Sequence, residues 1–311
     1  MAKIQLIAGS SHPHLAKEIA KLLKVSLTPI EHVRFANDNL FCRIETSIRG
    51  DDVFILQTSV RPVNDGVMEL LLMIDAAKYA SAGRITAVLP YYPYVRSDKK
   101  DQPRIPVTAR LIADMLQTAG ADRVVTLDLH ALQILSFFRI PADQLLSVKL
   151  LCEHLRSKIE SNHTVIVSPD VGGLPRARFY AKNLNLPLAV MDKRRDKQSQ
   201  KVKMGVIIGE VKGKHAIVVD DEVNTATTLL ETVEALKTQG VRKVSAMCIH
   251  PAFSKDAQKK IEQSFLDEMI VTNSIPIEEA SKKIKVLSIA PLLAKAIENI
   301  HHGQSVSTLF E

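Results

Sequence analysis

The stretch IVVDDEVNTATTLL, residues 217–230, sets two adjacent carboxylates, Asp220 and Asp221, between an apolar run and a hydroxyl-rich turn. Residues 216–219 read as a strand, which places the acids at its C-terminal end, where open parallel sheets bind ligands. Thr225, Ala226, Thr227 and Thr228 then open a helix. A helix start carries unpaired N–H groups and the positive end of the dipole, so it takes phosphate readily. Carboxylates repel a phosphate. They accept hydrogen bonds from hydroxyls further along the same ligand, or hold a metal through water. A sugar phosphate has both features. Helix capping by Asp, Asn or Thr accounts for one acid or one threonine, not for the whole cluster.

Three other places hold reactive groups. Asp128 and His130 end a further strand, and residues i and i+2 point to one face, so they can share a site. Imidazole suits a metal, although a lone His is more often structural. Asp170, in SPDVGG, follows another strand. Its carboxylate suits Mg²⁺, and Gly172 with Gly173 would let backbone approach a ligand; a plain Asp–Gly turn is the alternative. KRRDKQSQKVK, residues 193–203, concentrates positive charge. By charge alone it is a nucleic-acid patch or a solvated loop. Neither G-x-x-x-x-G-K-[ST] nor G-x-G-x-x-G occurs, so any bound nucleotide is held another way.

The elements that must position these groups alternate. Short apolar runs suggest strands over 4–8, 53–57, 85–89, 124–127, 164–168, 188–191, 216–219, 243–248 and 286–288. Amphipathic segments suggest helices over 14–23, 65–80, 106–119, 177–183 and 225–239. This predicts an α/β fold of mostly parallel sheets covered by helices. TAGADRVVTLDLHA and TQGVRKVSAMCIHPA each run helix, Gly, basic residue, strand, His, which suggests two similar halves. The join falls near 140–150. The expected domains are 1–146 and 147–311, with the last helix packing back on the first.

The bulk properties narrow the class. A chain of 311 residues allows about two domains. The net charge of +7 favours anionic ligands: nucleic acid, an acidic membrane surface or phosphorylated small molecules. Three scattered cysteines argue against a disulfide framework and for a reducing compartment. The N-terminal MAKIQLIAGSS lacks signal-peptide character, and no apolar run spans a bilayer, so a cytoplasmic location is expected. Nucleic-acid binding is disfavoured because the basic cluster is local, aromatics are 5% and Trp is absent.

The pattern V-D-D-x-x-x-T-A-x-T resembles the ribose-5-phosphate loop of ribose-phosphate pyrophosphokinases, the PRPP synthetases. SIRGDDVFILQ, RIPVTARLIADML, LDLHALQILSFF, SPDVGGLPRARFYAK and MDKRR match that family in the same order, over nearly the whole chain. The resemblance implies two tandem phosphoribosyltransferase-type domains, nucleotide on the first and ribose 5-phosphate on the second. It implies ATP as co-substrate, Mg²⁺, and transfer giving PRPP and AMP. Phe35, Asn37, Asn39, Arg96, Ser97 and Asp101 would take the nucleotide. Asp220, Asp221, Asn224, Thr225, Ala226, Thr227 and Thr228 would take the sugar phosphate. His130 and Asp170 would serve the metal, and Lys193 and Arg195 would be catalytic on a closing loop. A homo-oligomer, commonly a hexamer of dimers, is implied, with no nucleic-acid or membrane partner.

The sequence departs from the family at two sites. F-x-D-G-E is usual where Phe35-Ala36-Asn37-Asp38-Asn39 stands, and D-D-M-I-D-T-A-G-T where D-D-E-V-N-T-A-T-T stands. Thr227 replaces a Gly. It is strained if that position needs positive φ and harmless if the position is helical. The cations and metal ligands remain, so an active, divergent enzyme is expected. The alternatives are a regulatory paralogue that binds nucleotide and assembles with an active synthetase, and a transferase that consumes PRPP.

Overall fold

The computed structural model describes residues 2–192, 206–254 and 256–309. The chain divides into two compact units. One comprises Met1–Ser147, Ser274–Pro276 and Ser288–Glu311; the other comprises Val148–Asn273 and Ile277–Leu287.

In the first unit the order is β1 (Ile4–Ala8), α1 (Pro13–Leu23), β2 (Ile30–Arg34), β3 (Leu40–Ile44), β4 (Asp52–Leu56), α2 (Val63–Tyr79), β5 (Arg84–Leu89), α3 (Thr108–Ala119), β6 (Arg123–Leu127) and β7 (Ala142–Leu145). The sheet runs β1-β4-β5-β6-β7, all parallel, while β2 and β3 form a separate antiparallel hairpin. Parallel strands are covered on both faces, which is why β4 is a continuous apolar run after Asp52 and is buried throughout. The covering helices are amphipathic. α3 buries Ala109, Ile112, Ala113 and Leu116, one stripe at helical spacing. Burying Ile112 or Leu116 contributes about 1.5–3 kcal/mol each. Gly120 ends the helix at φ 115°, a conformation that an L side chain rarely adopts.

The second unit follows with α4 (Val148–Arg156), β8 (Thr164–Ser168), α5 (Leu174–Leu184), β9 (Leu188–Asp192), β10 (Val206–Ile208), β11 (His215–Glu222), α6 (Thr227–Thr238), β12 (Lys243–His250), α7 (Ala257–Gln263), β13 (Glu268–Thr272) and β14 (Ile284–Leu287). Its sheet runs β10-β9-β8-β11-β12-β13-β14, with only β10 antiparallel. The chain then returns to the first unit as α8 (Ala290–His301), which packs on α1. That return is fastened by a buried carboxylate. Asp52 accepts from Arg84 Nε at 2.8 Å and lies 2.8 Å from His301 Nδ1, while Arg84 Nη2 donates to the Ile300 carbonyl at 2.9 Å.

The expected class, α/β with mostly parallel sheets, is the one observed. Two expectations need correction. The strand expected over 216–219 continues to Glu222, so the acidic pair lies inside β11 rather than beyond it. The two repeated segments are not equivalents either. They are α3–β6 and α6–β12, whereas the strand orders β1-β4-β5-β6-β7 and β8-β11-β12-β13-β14 pair β5 with β12 and β6 with β13. Gly120 and Gly240, both with positive φ, end similar helix-to-strand joints at different places in the two sheets. The halves are alike, but the segments were one unit out of step.

Among the described residues no helix is long and apolar enough to cross a membrane.

Candidate functional site

β11 carries the acids into the second unit's site. Strand alternation sends neighbouring side chains to opposite faces. Asp220 instead turns back, and its Oδ1 accepts the backbone N–H of Asp221 at 2.9 Å. Asp221 is 5% exposed, so its charge needs a partner. Arg176, the third residue of α5, supplies it: Nη1 lies 3.2 Å from Asp221 Oδ1 and 3.7 Å from Asp220 Oδ1. Burial, then the hydrogen bond and charge of Asp221, push the Asp220 carboxyl up to about 8, while Arg176 pulls it down.

The turn after β11 leads directly into α6. Ala226 holds the left-handed conformation at φ 61° and is buried, while Asn224, Thr225, Thr227 and Thr228 are exposed. An alanine there costs roughly 1–2 kcal/mol relative to an unstrained residue, and such strain clusters at ligand sites. Thr227 is the first helical residue, so replacing Gly there introduces no backbone strain. Its hydroxyl lies 3.0 Å from that of Thr225. No side chain of the N-cap residue, Ala226, closes the helix start. The Thr225 hydroxyl also accepts the Thr227 N–H at 3.4 Å, so threonine hydroxyls and a helix start meet in one exposed turn shortly after two carboxylates, an arrangement suited to an anion joined to a polyol.

Asp170 is exposed in the turn between β8 and α5. Its Oδ1 accepts Gly173 N–H at 2.7 Å, and its carbonyl accepts the Ser168 hydroxyl at 2.7 Å. A Cβ at Gly173 would sit 3.0 Å from Ser168 Oγ, so the turn is tight there. Among the described residues no group of three or more His, Cys, Asp or Glu is arranged to hold a metal. Mg²⁺ asks less: one or two carboxylates, with waters and substrate phosphates completing the shell. An exposed hard oxygen fixed by a backbone N–H fits that demand.

The corresponding places in the first unit are occupied differently. Leu56 pairs Val88 at the end of β4 as Val219 pairs Met247 on β11, so Gln57 and Thr58 take the positions of Asp220 and Asp221. Both are buried and committed. Thr58 Oγ1 donates to the Ser274 carbonyl at 2.6 Å, and Gln57 accepts Ser11 N–H at 3.2 Å. An acidic pair is therefore absent at that register. β6 ends at Leu127, so the alternation that would align Asp128 with His130 does not extend to them. Asp128 has φ 38°, and its Oδ2 accepts Ser147 N–H at 2.8 Å, which ties down the end of β7. His130 is exposed.

The expected nucleotide residues lie in this unit. Phe35, 51% exposed, starts the turn joining β2 to β3 and packs its ring 5.9 Å from that of Phe41. Asn37 Oδ1 accepts Asn39 N–H at 3.3 Å. Asp38 adopts φ 68°, and Arg34 Nη1 binds its carboxylate at 2.6 Å, so the turn keeps a left-handed residue without Gly. Arg96 and Asp101 are exposed. Ser97 is committed to structure: its hydroxyl accepts Thr108 N–H at 3.1 Å at the start of α3. Lys193 and Arg195 lie outside the described residues.

Arg176 was missed at the sequence level. Its signal was a cation in the first turn of a helix, where the dipole disfavours it and a specific acid must compensate.

Residues 4–120 match the family model described as the N-terminal domain of ribose phosphate pyrophosphokinase, and residues 196–311 match the phosphoribosyl synthetase-associated domain. The chain is 47% identical to the ribose-phosphate pyrophosphokinase of Wolinella succinogenes over 310 residues, covering 100% of both chains. The chain belongs to the ribose-phosphate pyrophosphokinase family. It is therefore an enzyme of the diphosphotransferase kind. Another pyrophosphokinase, from Caldanaerobacter subterraneus subsp. tengcongensis, is 47% identical over 99% of this chain and 98% of its own. The crystal structure of phosphoribosylpyrophosphate synthetase from Mycobacterium smegmatis superposes with a TM-score of 0.92 at 41% identity, covering 97% of this chain and 99% of the other. Within this pyrophosphokinase fold, the acids of β11 and the start of α6 lie in the second unit.

Proposed function

We propose that the protein transfers the β,γ-diphosphoryl group of ATP to the C1 hydroxyl of ribose 5-phosphate, giving PRPP and AMP. The observation that carries this reading is the placement of Asp220 and Asp221 directly before the open, threonine-rich start of α6. Asp220 and Asp221 accept the ribose hydroxyls. Asn224, Thr225, Ala226, Thr227 and Thr228 receive the 5-phosphate through N–H groups and hydroxyls. The C1 oxygen attacks the β-phosphorus in line, the bond to the α-phosphate oxygen breaks, and AMP leaves. No covalent enzyme intermediate is needed, so catalysis rests on orientation and charge.

Phe35 stacks on the adenine, with Asn37, Asn39, Arg96, Ser97 and Asp101 as its polar contacts. Lys193 and Arg195 stabilise the charge on the migrating group. Asp170 and His130 would hold Mg²⁺, which supplies charge neutralisation on the phosphates when bound. A cytoplasmic homo-oligomer, a hexamer of dimers, is part of the same reading, and light scattering of the purified protein tests it.

The deciding assay incubates the protein with Mg–ATP and ribose 5-phosphate and follows AMP and PRPP. The reading requires formation of both products, dependent on both substrates. Nucleotide binding without turnover would instead support a regulatory paralogue.

A further inference from the structure

Resting on the function proposed above, we infer that Arg176 is a positioning residue for the sugar: its guanidinium braces Asp220 and Asp221 so that both carboxylates turn acceptor oxygens toward the ribose hydroxyls. The geometry is specific. One Nη1 lies 3.2 Å from Asp221 Oδ1 and 3.7 Å from Asp220 Oδ1, and the three side chains are 21%, 7% and 22% exposed. Sheltered to this degree, the contact is screened less than a surface pair. Its placement is otherwise unfavourable, because a cation in the first turn of α5 opposes the helix dipole. The acids of β11 supply the compensation.

Why the sugar needs this brace follows from charge. An ionised carboxylate is acceptor-only, whereas a protonated one has surrendered part of that capacity. Two neighbouring acids in a largely buried strand favour keeping a proton. Among the described residues, the charged or titratable groups around Asp220 are Asp221 on β11, Arg176 on α5, and Cys248 on β12. Burial raises the Cys248 thiol well above its usual range, so it stays neutral and adds no further negative charge. Glu222, further along β11, adds negative charge to the same region. Among the described residues, Arg176 is the cation that opposes proton uptake by Asp220. A single guanidinium nitrogen, Nη1, faces both acids: it donates to Asp221 Oδ1 at 3.2 Å and lies 3.7 Å from Asp220 Oδ1, so one cation sits between the pair.

The test is steady-state kinetics of wild type, Arg176→Gln and Arg176→Lys across pH, with thermal unfolding of each to confirm folding. Arg176→Gln is expected to raise KM for ribose 5-phosphate about tenfold or more, the scale of one charge-assisted hydrogen bond. KM for ATP should stay near the wild-type value. The acid limb of kcat/KM for the sugar should move to higher pH, and Arg176→Lys should restore part of both effects. Should the glutamine variant not fold, the lysine variant carries the test through the same split between the two KM values. An unmoved acid limb and sugar KM in folded variants, beside an active wild type, would overturn the role of Arg176 alone. A wild type that neither binds nor converts ribose 5-phosphate would overturn the function and this role together.

Discussion

Asp221 donates its backbone N–H to the Oδ1 of Asp220, its own chain neighbour, at 2.9 Å. The contact links two acids that strand geometry would separate, while burial, then the side-chain hydrogen bond and charge of Asp221, push the Asp220 carboxyl up to about 8 in the ligand-free protein. An unfolded aspartate loses its proton near pH 4. Between those values the folded state binds more protons than the unfolded one, so stability falls as pH rises. Thermal melts of the ligand-free protein should show this decline across pH 4 to 8, and Asp220→Asn should flatten it. A variant with the wild-type slope would place the effect elsewhere.

Thr227 offers a sharper test of the turn. Since it is helical, Thr227→Gly should not tighten ribose 5-phosphate binding, even though it restores the usual family residue. Losing a hydroxyl should weaken binding, and the helix should lose up to about 1 kcal/mol of stability. Calorimetric titration and urea unfolding measure the two effects. Tighter binding would mean that Thr227 obstructs the phosphate.

Lys193→Ala should lower kcat far more than it weakens ribose 5-phosphate binding. A group that acts on the migrating charge matters mainly in the transition state. Comparable losses in kcat and in directly measured sugar affinity would assign it to ground-state binding.

Asp52→Ala should destabilise the first unit by roughly 2–3 kcal/mol. The value sits below the range for a fully buried pair because Arg84 is 34% exposed. Removing Asp52 leaves both Arg84 and His301 without this acceptor. Urea unfolding reads the change, and a shift under about 0.5 kcal/mol would show the contact to be ornamental.

Much of this was legible in the sequence because it rests on local rules. The apolar runs of β1 and β8 were placed at 4–8 and 164–168, where both strands occur; β8 is buried throughout, and a strand of that kind leaves a continuous hydrophobic signature. The acidic pair and threonine turn stood out by residue type alone. The β2–β3 hairpin was missed because its strands, half exposed, mix charges with apolar residues and lack a short Gly turn: Asp38 fills that role with help from Arg34. α4 was missed because VKLLCEHLR starts at the edge of the segment, 140–150, where the join was placed. Arg176 was invisible as a partner because its acids stand 44 and 45 residues later in the chain. No local pattern reports a contact that only the sheet order creates.

The fastening of α8 onto α1 has a bearing on biosynthesis. Ala290–His301 leaves the ribosome only after every strand of the second sheet. The half whose synthesis begins first is therefore completed last, and its apolar face on α1 must wait for cover while the rest of the polypeptide is made. Nascent chains halted before Ala290 should accordingly be more susceptible to proteases in their opening segment than in their middle.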